Sequence, residues 1–463
     1  MSLPDLDFKK NSGSHTPPDY KGADGDRQYV TTVQTADLEA YPIESFETEP
    51  RVDAVFGVQD AKGPNYRNLG WIHATVLMIK TQIGLGVLAI PSVMHTLGVV
   101  PGVITILLVA AMTTWAAYVV GSFKRRHPEV YTLADVGQLM FGPVGREVFG
   151  ALYWIFLTAV AGAGMLGFAT GLNAIITKEK GICHVVYVLV GAILGFSVSS
   201  IQTLEKIGWF GWVGLAGILS SDRPAAAPAT GPFNIEIEII GHPSFVEAIN
   251  AVSTIISPNF FNIVAEMRDP ADFTKAMLCC QSVVTSTYLI LGGVVYHYVG
   301  QYIASPALGS AGATMVRVCY GLALPGLLVG IVLNTHMPAK YVFVRLFKNS
   351  PHLASNTAIH WMGWLGCVFA NCAISFIIAE AIPIFGDLIS LIGALLATFL
   401  ALQATGMMWI WDHKGAHKSR LSVKLLFGWN VWLIVGGTFA MVAGTYTSIL
   451  AIRSTIASGS TVQ

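Results

Sequence analysis

The sequence predicts an all-α protein that crosses a membrane eleven times. Of its 463 residues, 53% are hydrophobic and only 12% are charged, about half the charged fraction of an average soluble domain. Apolar stretches of the roughly 20 residues that a bilayer requires recur along the chain, and cations concentrate in every second loop. The net charge is zero, so the composition gives no indication of a nucleic-acid partner.

Windows of about 20 apolar residues define the spans. They cover approximately residues 71–97, 99–123, 147–177, 184–201, 207–221, 245–267, 276–299, 314–337, 358–379, 385–410 and 427–452. If the N-terminus is cytoplasmic, the cytoplasmic loops carry fourteen Lys and Arg residues and the opposite loops carry four. Because cytoplasmic loops are rich in these residues, we expect this orientation.

The chain divides into a tail, a membrane domain and a short end. Residues 1–66 are polar, and their acidic residues outnumber their basic ones. Such a segment buries too little apolar surface to offset its ordering entropy, so we expect a disordered cytoplasmic tail. Residues 67–455 form the transmembrane domain, with one repeat at about 71–221, a second at about 245–410 and an extra helix at about 427–452. Residues 456–463 are a C-terminal tail.

The fifth span is short. Only fifteen uncharged residues separate Lys206 from Asp222, or about 22 Å of helix, whereas a hydrocarbon core is about 30 Å thick. Omitting this span would invert every later loop and remove the charge asymmetry. We therefore retain it as a truncated crossing.

The first span is interrupted at its centre. Lys80-Thr81-Gln82 is followed by Gly84-Leu85-Gly86. Unpaired backbone groups in hydrocarbon are so costly that unwound chain occurs only where it lines a protein cavity or holds a ligand. The freed N–H groups suit a carboxylate, and the carbonyls that end the preceding half-helix suit an ammonium group or a cation. The alternative is that the glycines serve close helix packing.

The sixth span, Phe245 to Met267, is interrupted by Ser257-Pro258-Asn259. Pro258 removes a backbone donor, and Phe260 and Phe261 follow as walls for a side-chain pocket. A simple proline kink is the alternative. Interruptions at matching positions of two five-span halves indicate a secondary transporter and the location of its substrate site.

Two charged residues on these spans are candidates for coupling or gating, because a charge inside a bilayer costs ~2.5–3.5 kcal/mol. Lys80 precedes the first interruption and could titrate during proton coupling; the alternative is a lysine that snorkels or bonds unwound carbonyls. Glu266 ends the sixth span, where the alternative is a helix-end charge in water. The other polar residues near span ends are interpreted as interfacial: His73, His95, His336, Asn334, Asn371, Glu380 and Asp387.

No enzyme motif is present: the sequence lacks G-x-S-x-G, H-E-x-x-H and Walker patterns. We predict no catalytic residue, metal site or cofactor, and the energy source would be a gradient of protons or, alternatively, of sodium. The six cysteines have no metal or redox spacing. We interpret five of them as apolar fillers, and a Cys183–Cys319 pair is the alternative for Cys183.

Four stretches together resemble the amino acid/auxin permease family, and within it the fungal neutral amino acid permeases. They are Gly63-Pro-Asn-Tyr-Arg-Asn-Leu-Gly-Trp71, Gly84-Leu-Gly-Val-Leu-Ala-Ile-Pro91, Tyr131-Thr-Leu-Ala-Asp135 with Phe141-Gly-Pro-Val-Gly-Arg146, and Glu266-Met-Arg-Asp-Pro270. The likeness covers about residues 55–455. It departs from the family at the fifth span, where roughly a dozen residues are missing.

The resemblance implies a LeuT-like core of five plus five inverted-repeat helices with one further helix. It implies that the substrate α-carboxylate and α-amino groups meet the segment of Thr81, Gln82, Ile83, Gly84, Leu85 and Gly86. The substrate side chain would meet Ser257, Pro258, Asn259, Phe260 and Phe261. Third-span residues near Thr158 to Gly164 would close the pocket.

We therefore expect a symporter of neutral amino acids that uses protons, by alternating access around a midplane site. We expect it in the plasma membrane, with the vacuolar membrane as the alternative, and without an obligate protein partner. Two other functions stay open: an amino acid sensor that signals through the N-terminal tail, and a vacuolar amino acid exporter. A channel is disfavoured because no span shows a ring of filter residues.

Overall fold

The computed structural model describes residues 51–53, 57–59, 69–83, 86–176, 183–200, 224–228, 234–256, 260–347, 350, 357–415 and 420–457. Two short strands, β1 (Arg51–Asp53) and β2 (Gly57–Gln59), pair antiparallel with Val52 opposite Val58. This hairpin lies in the segment that the composition predicts to be disordered. The other residues of 1–66 lie outside the described ranges, so disorder there stays a prediction.

The remaining elements are helical. The α-helices are α1 (Trp71–Ile83), α2 (Ile90–Leu97), α3 (Val99–Arg126), α4 (Leu133–Ile175), α5 (His184–Ser199), α6 (Phe245–Ile255), α7 (Phe261–Glu266), α8 (Phe273–Val299), α9 (Ala313–Leu346), α10 (Ala358–Ala381), α11 (Phe385–Ile392), α12 (Ala404–Asp412) and α13 (Leu421–Ala457). Short 3₁₀ turns cover Gly86–Ala89, Pro270–Asp272, Gly300–Tyr302 and Ala307–Ser310. Two π-helical turns, Gly393–Ala397 and Phe399–Gln403, join α11 to α12.

The predicted spans have counterparts wherever the structure describes them. Eight of the described helical stretches are long and apolar enough to cross a bilayer. The fourth span is the 16-residue α5, and the sixth is divided between α6 and α7. The truncated fifth span lies outside the described residues. The prediction of an all-helical, multi-span membrane domain is confirmed.

The helix that contains the third span begins earlier than the hydropathy predicts. Thr132 and Asp135 cap α4 reciprocally: the Asp135 N–H donates to Thr132 Oγ1, 3.3 Å away, and the Thr132 N–H donates to Asp135 Oδ2, 2.8 Å away. Gly142, at φ 70°, and Pro143 then kink the helix. The stretch from Leu133 to Phe141 is therefore a separate helical arm before the apolar span.

Eight of the described spans pack in two groups of four. In the first group, α8 packs against α1, α2 and α3, and α6 packs against α2. In the second group, α4, α5, α9 and α10 pack against one another. The groups thus contain spans 1, 2, 6 and 7 and spans 3, 4, 8 and 9. Because each span shares its group with the span five places later, the packing has the pairing of a five-plus-five repeat.

A strap of extended chain, residues 234–241, crosses the junction of α2 and α3. The N–H groups of Val99 and Val100 donate to the carbonyls of Glu238 and Ile239, each at 3.0 Å, and the Gly241 N–H donates to the Leu97 carbonyl at 2.9 Å. Gly98 lies between the helices at φ 84°, and a Cβ there would be 2.3 Å from the Gly241 nitrogen. Only glycine fits this junction without displacing the strap.

Two side chains differ from their sequence interpretation. Lys124, counted as a loop cation, is buried, and its Nζ donates to the carbonyls of Pro128, at 2.9 Å, and Val130. Asn371, interpreted as interfacial, is buried near the middle of α10, where its side chain accepts a hydrogen bond from α4. All six cysteines are free, with Cys183 exposed and Cys319 buried, so the alternative of a Cys183–Cys319 pair is wrong.

Candidate functional site

The interruption of the first span is present. The α-helix ends at Ile83, a 3₁₀ turn occupies Gly86–Ala89, and regular α-helix resumes at Ile90. The predicted contacts at Gly84 and Leu85 lie outside the described residues. Across the part of the first span that the structure describes, the backbone thus changes from α-helix to a 3₁₀ turn, whose hydrogen bonds follow a different pattern.

One of the last carbonyls of α1 is bonded by a distant helix. In a continuous helix the Gln82 carbonyl would accept from the amide of residue 86; here the Tyr288 hydroxyl of α8 donates to it, at 2.9 Å in a buried environment. A Cβ added to Gly86 would lie 3.4 Å from the same hydroxyl. Tyr288 thus stabilises the end of α1 and limits the space beside Gly86.

The sixth span is interrupted as well. Helix α6 ends at Ile255, Ile256 has extended dihedrals (φ −69°, ψ 117°), and Phe260 is non-helical (φ −98°, ψ 32°) before α7 begins at Phe261. The predicted contacts at Ser257, Pro258 and Asn259 lie outside the described residues. Phe260 and Phe261 are buried, with 6% and 2% exposure.

The predicted residues on the first span point in different directions. Gln82 is buried, whereas Ile83 and Gly86 are half-buried. Thr81 is exposed, and its hydroxyl donates to the Met78 carbonyl of its own turn at 2.8 Å. Lys80 is half-buried. Of the four residues from Lys80 to Ile83, Gln82 is the one that is buried.

A narrow cleft, with a volume of about 20 Å³ open to the centres of water molecules, lies between α1, α3, α6 and α8. It adjoins both interruptions, because Gln82 and Ile255 stand at the ends of α1 and α6. Its walls are Gln82, Ile106, Val109, Ala110, Thr113, Ile255, Gln281, Val284, Thr285 and Tyr288. None of these side chains carries a charge, and across the described ranges no three His, Cys, Asp or Glu residues converge as metal ligands.

Glu266 belongs to a polar cluster where α7 ends. Its carboxylate accepts a hydrogen bond from the Tyr131 side chain and interacts with the charge of Lys340 on α9. Tyr153 of α4 lies close to the same carboxylate, and its hydroxyl accepts a hydrogen bond from Asn262 Nδ2 at 2.8 Å. The cluster connects α7, in the first packing group, to α4 and α9, in the second.

The beginning of the first span is tied to the end of the sixth. The Leu69 N–H donates to the Glu266 carbonyl at 3.3 Å, and the Arg268 N–H donates to the Leu69 carbonyl at 3.0 Å. Leu69 and Met267 thereby form a parallel bridge. These backbone hydrogen bonds join the beginning of the first span to the end of the sixth.

Two of the third-span residues expected to close the pocket contact α10 instead. The Thr158 hydroxyl donates to Asn371 Oδ1 at 2.8 Å, and the Ser375 hydroxyl donates to the Thr158 carbonyl at 2.9 Å. A Cβ at Gly162 would lie 2.7 Å from the Ser375 carbonyl. This face of α4 therefore packs on α10.

The sequence reasoning missed Tyr131, Tyr153, Gln281 and Tyr288. A signal for Gln281 and Tyr288 was present, since both are polar groups in the middle of an otherwise apolar span, where such groups bond neighbouring helices or line a site. Their partners lie on helices far apart in the chain, so the sequence alone could not identify them.

Comparison with known proteins gives a consistent result. A family model described as "Transmembrane amino acid transporter protein" matches residues 67–230 and 249–450. A "Transmembrane transporter" of Gibberella moniliformis is 36% identical over 87% of this chain and 88% of its own length. An "N amino acid transport system protein" of Neurospora crassa is 31% identical over 83% of this chain and 85% of its own.

Among solved structures, an inward-facing conformation of Mhp1 superposes with a TM-score of 0.50 at 14% identity, covering 85% of this chain and 93% of the Mhp1 chain. At this identity the match establishes the fold alone. The fold is the LeuT-like arrangement that the two interruptions and the pairing of spans n and n+5 also indicate.

Proposed function

The chain belongs to the transmembrane amino acid transporter family, and from that membership we propose that it is a secondary active transporter that carries neutral amino acids together with protons. It is a transporter, not an enzyme. The observation that carries the finer proposal is the pair of helix interruptions, whose flanking side chains are all uncharged: Gln82, Ile83, Gly86, Phe260 and Phe261.

A zwitterion suits such a site. Its α-amino group can pair with the C-terminal carbonyls of α1 and α6, and its α-carboxylate with the N–H groups that start at Gly86. A cationic substrate side chain would need a carboxylate close by, and the described flanking residues supply none; the nearby cation of Lys80 is assigned to coupling in this proposal. An apolar substrate side chain, in contrast, is well matched to buried Phe260 and Phe261. The proposed contacts extend to Gly84, Leu85 and Ser257 to Asn259.

The cluster around Glu266 serves as a gate in this proposal. With the N-terminus in the cytoplasm, as the loop charges favour, Glu266 lies at the cytoplasmic end of the sixth span. Its contacts to Tyr131 and Lys340 join the two packing groups, so they must break when the groups rock apart. We place the protein in the plasma membrane, with the vacuolar membrane as the alternative.

Lys80 is the proposed coupling residue, because it is a basic residue three positions before the end of α1 at Ile83. In proteoliposomes, labelled neutral amino acids should enter saturably and faster under an inward proton gradient. Lys80→Met should retain substrate binding and lose the response to the gradient, whereas Lys424→Met, at an exposed position of α13, should keep it.

Two results would contradict the proposal. Absence of saturable flux for every neutral amino acid would reject neutral amino acid transport. Flux by the Lys80→Met protein with an unchanged pH dependence would reject Lys80 as the coupling residue and leave transport itself standing.

A further inference from the structure

The eleventh span lies outside the five-plus-five repeat, and the proposed function gives it no role. Its helix, α13, packs against α6 and along the whole tenth span, which comprises α11, both π-helical turns and α12. The opposite side of α13 is apolar, with Val435, Phe439 and Val442 between 60% and 63% exposed, and lipid covers such a side in a bilayer. Any polar group that links α13 to the rest of the protein must therefore lie on the side of α6 and the tenth span.

A polar joint on that side is centred on Asn250 of α6. Its Oδ1 accepts hydrogen bonds from the hydroxyls of Thr447, at 2.8 Å, and Ser448, at 3.2 Å, both on α13. Ser390 of α11 completes the joint, because its hydroxyl is 3.0 Å from the Ser448 hydroxyl and 3.4 Å from the Asn250 carbonyl. Thr447 and Ser448 are fully buried, and Ser390 is 4% exposed. Three helices therefore share one buried hydrogen-bond network.

The three helices also approach one another closely at this joint. A Cβ added to Gly444 of α13 would lie 2.7 Å from Ser253 Oγ and 2.8 Å from Ala394 Cβ, and one added to Gly393 would overlap the Ser253 carbonyl. Small residues let membrane helices come this close, and hydroxyl and amide side chains then bond across the contact. The contact has no space for a further methyl group, so the distance of α6 from the tenth and eleventh spans is closely defined.

A second polar joint connects α13 to the second span. Trp115 Nε1 of α3 donates to Asn430 Oδ1 at 3.2 Å, and Asn430 is fully buried. Asn430 and Thr447 are about 25 Å apart along the axis of α13. Spans 2 and 6 both belong to the first packing group, so α13 is bonded to that group at two widely separated depths of the membrane.

The joint at Asn250 lies close to the interruption of the sixth span. Helix α6 ends at Ile255, about 7.5 Å beyond Asn250 along the helix axis. A fixed link at Asn250 therefore also fixes the position of the last carbonyls of α6. In the proposed function, these carbonyls pair with the α-amino group of the substrate.

We infer that the eleventh span braces the first packing group through these two joints, and that Asn250 is a positioning residue. By its bonds to Thr447 and Ser448 it holds the carbonyl end of α6 in place for the substrate. Only this effect on the substrate rests on the proposed function. The brace itself does not depend on transport.

The first test measures amide hydrogen exchange in Phe245–Ile255 by mass spectrometry, on the full-length protein in detergent. The double variant Thr447→Val/Ser448→Ala removes both donors to Asn250 Oδ1 and leaves every residue of α6 unchanged. Exchange in α6 should accelerate about tenfold, because a buried acceptor loses its partners. The matched control is Thr438→Val on the same helix, whose exposed hydroxyl bonds a carbonyl of its own helix. Unchanged exchange in the double variant, or equal acceleration in the control, would overturn the inference.

Two single variants separate the hydrogen bond from packing. Thr447→Val removes the hydroxyl at nearly constant shape, so it should accelerate exchange in α6, and it serves if the double variant does not fold. Thr447→Ser removes the methyl group and keeps the hydroxyl, so exchange should remain as in the original protein. A serine variant that exchanges as fast as the valine variant would mean that packing of the methyl group holds α6, and it would overturn the inference.

Uptake kinetics in proteoliposomes test the positioning role. The double variant should raise the half-saturation concentration for a neutral amino acid about fivefold, because a binding site weakens when its supporting residues shift. Its maximal rate per molecule and both constants of Thr438→Val should change little. An unchanged half-saturation concentration would overturn the positioning role of Asn250. Absence of neutral amino acid uptake by the original protein, with the exchange results as expected, would refute the proposed function and support the brace.

Discussion

At the level of single residues, the first interruption depends on Tyr288, whose hydroxyl replaces a backbone N–H as hydrogen-bond donor to the Gln82 carbonyl. The Tyr288 hydroxyl bonds the Gln82 carbonyl and lies beside Gly86, so α1 can end in the middle of the membrane without leaving that carbonyl unpaired. An unsatisfied carbonyl in a buried site costs about 1–3 kcal/mol. Tyr288 of α8 therefore stabilises the end of α1 in the middle of the membrane.

Gly86→Val is expected to weaken substrate binding. The added methyl groups would extend beyond a Cβ that is already 3.4 Å from the Tyr288 hydroxyl, and the altered interruption would hold the substrate less well. We expect the half-saturation concentration for uptake to rise about tenfold, or ~1.4 kcal/mol. The control is Gly293→Val on α8, where an added Cβ meets nothing within 4 Å. Equal effects of the two variants would show that Gly86 has no special role.

Lys124→Met is expected to destabilise the protein. The buried ammonium group donates to the Pro128 and Val130 carbonyls, and methionine would leave both without this donor. Charged hydrogen bonds contribute about 1.5–3 kcal/mol, so the thermal midpoint in detergent should fall clearly. Arg125→Met, at the next and exposed position, should change it little. A similar fall in both variants would mean that loss of positive charge, not of the hydrogen bonds, is responsible.

At the level of elements, the joints between helices are specified by backbone conformation as much as by side chains. The α2–α3 joint needs Gly98 because the strap passes within contact distance of it, and the kink in α4 needs Gly142 because of its positive φ. Both glycines have the same kind of dihedral requirement. They differ in their surroundings: a Cβ at Gly98 meets the strap, and one at Gly142 meets nothing within 4 Å.

This difference separates strain from steric conflict. Both glycines combine a positive φ with a ψ near 180° (84° and 167° at Gly98, 70° and −156° at Gly142), a region that is essentially restricted to glycine. A non-glycine residue there costs about 1–3 kcal/mol, so Gly142→Ala should lower the free energy of unfolding by about that amount. Gly98→Ala bears the same strain and must also displace the strap, so its loss should be larger by ~1 kcal/mol or more. Thermal or denaturant unfolding of the two variants in parallel measures the difference. Losses of equal size would mean that the strap yields without cost.

For the whole molecule, the significant feature is the polar cluster near Glu266, which links the two packing groups. Glu266→Gln removes the charge that interacts with Lys340 and keeps an oxygen for Tyr131. We expect amide hydrogen exchange in Phe261–Met267 to accelerate roughly fivefold, which corresponds to about 1 kcal/mol of weakened attraction. Hydrogen exchange read by mass spectrometry of the unliganded protein measures the change.

The matched control for that variant is Glu147→Gln. Glu147 of α4 pairs with Arg345 of α9, within the second packing group, and both side chains are well exposed, at 60% and 41%. Exposed pairs contribute little to stability, so exchange in α7 should stay as in the original protein. Faster exchange in both variants would indicate general loosening and would remove Glu266 from the gate.

The sequence predicted the features that have a local signal. Long apolar runs predicted the spans, and Gly84-Leu-Gly86 and Pro258 predicted the two interruptions, because glycine and proline act on their own backbone. The arm before the third span has too few apolar residues for a hydropathy window, although its Thr132–Asp135 cap was readable. The Tyr288–Gln82 bond joins residues 206 positions apart, and no local pattern reports it. The substrate contacts proposed at the interruptions stay predictions.

The bridge between Leu69 and Met267 has a genetic consequence. Its two hydrogen bonds join peptide groups only, so almost any substitution at Leu69 or Arg268 retains the donor and the acceptor. Proline alone lacks the N–H. In a saturation library, the Arg268 codon should therefore tolerate changes of size and polarity, and proline should be depleted at both codons. Leu69 also packs against the apolar core, so its codon should in addition favour apolar residues.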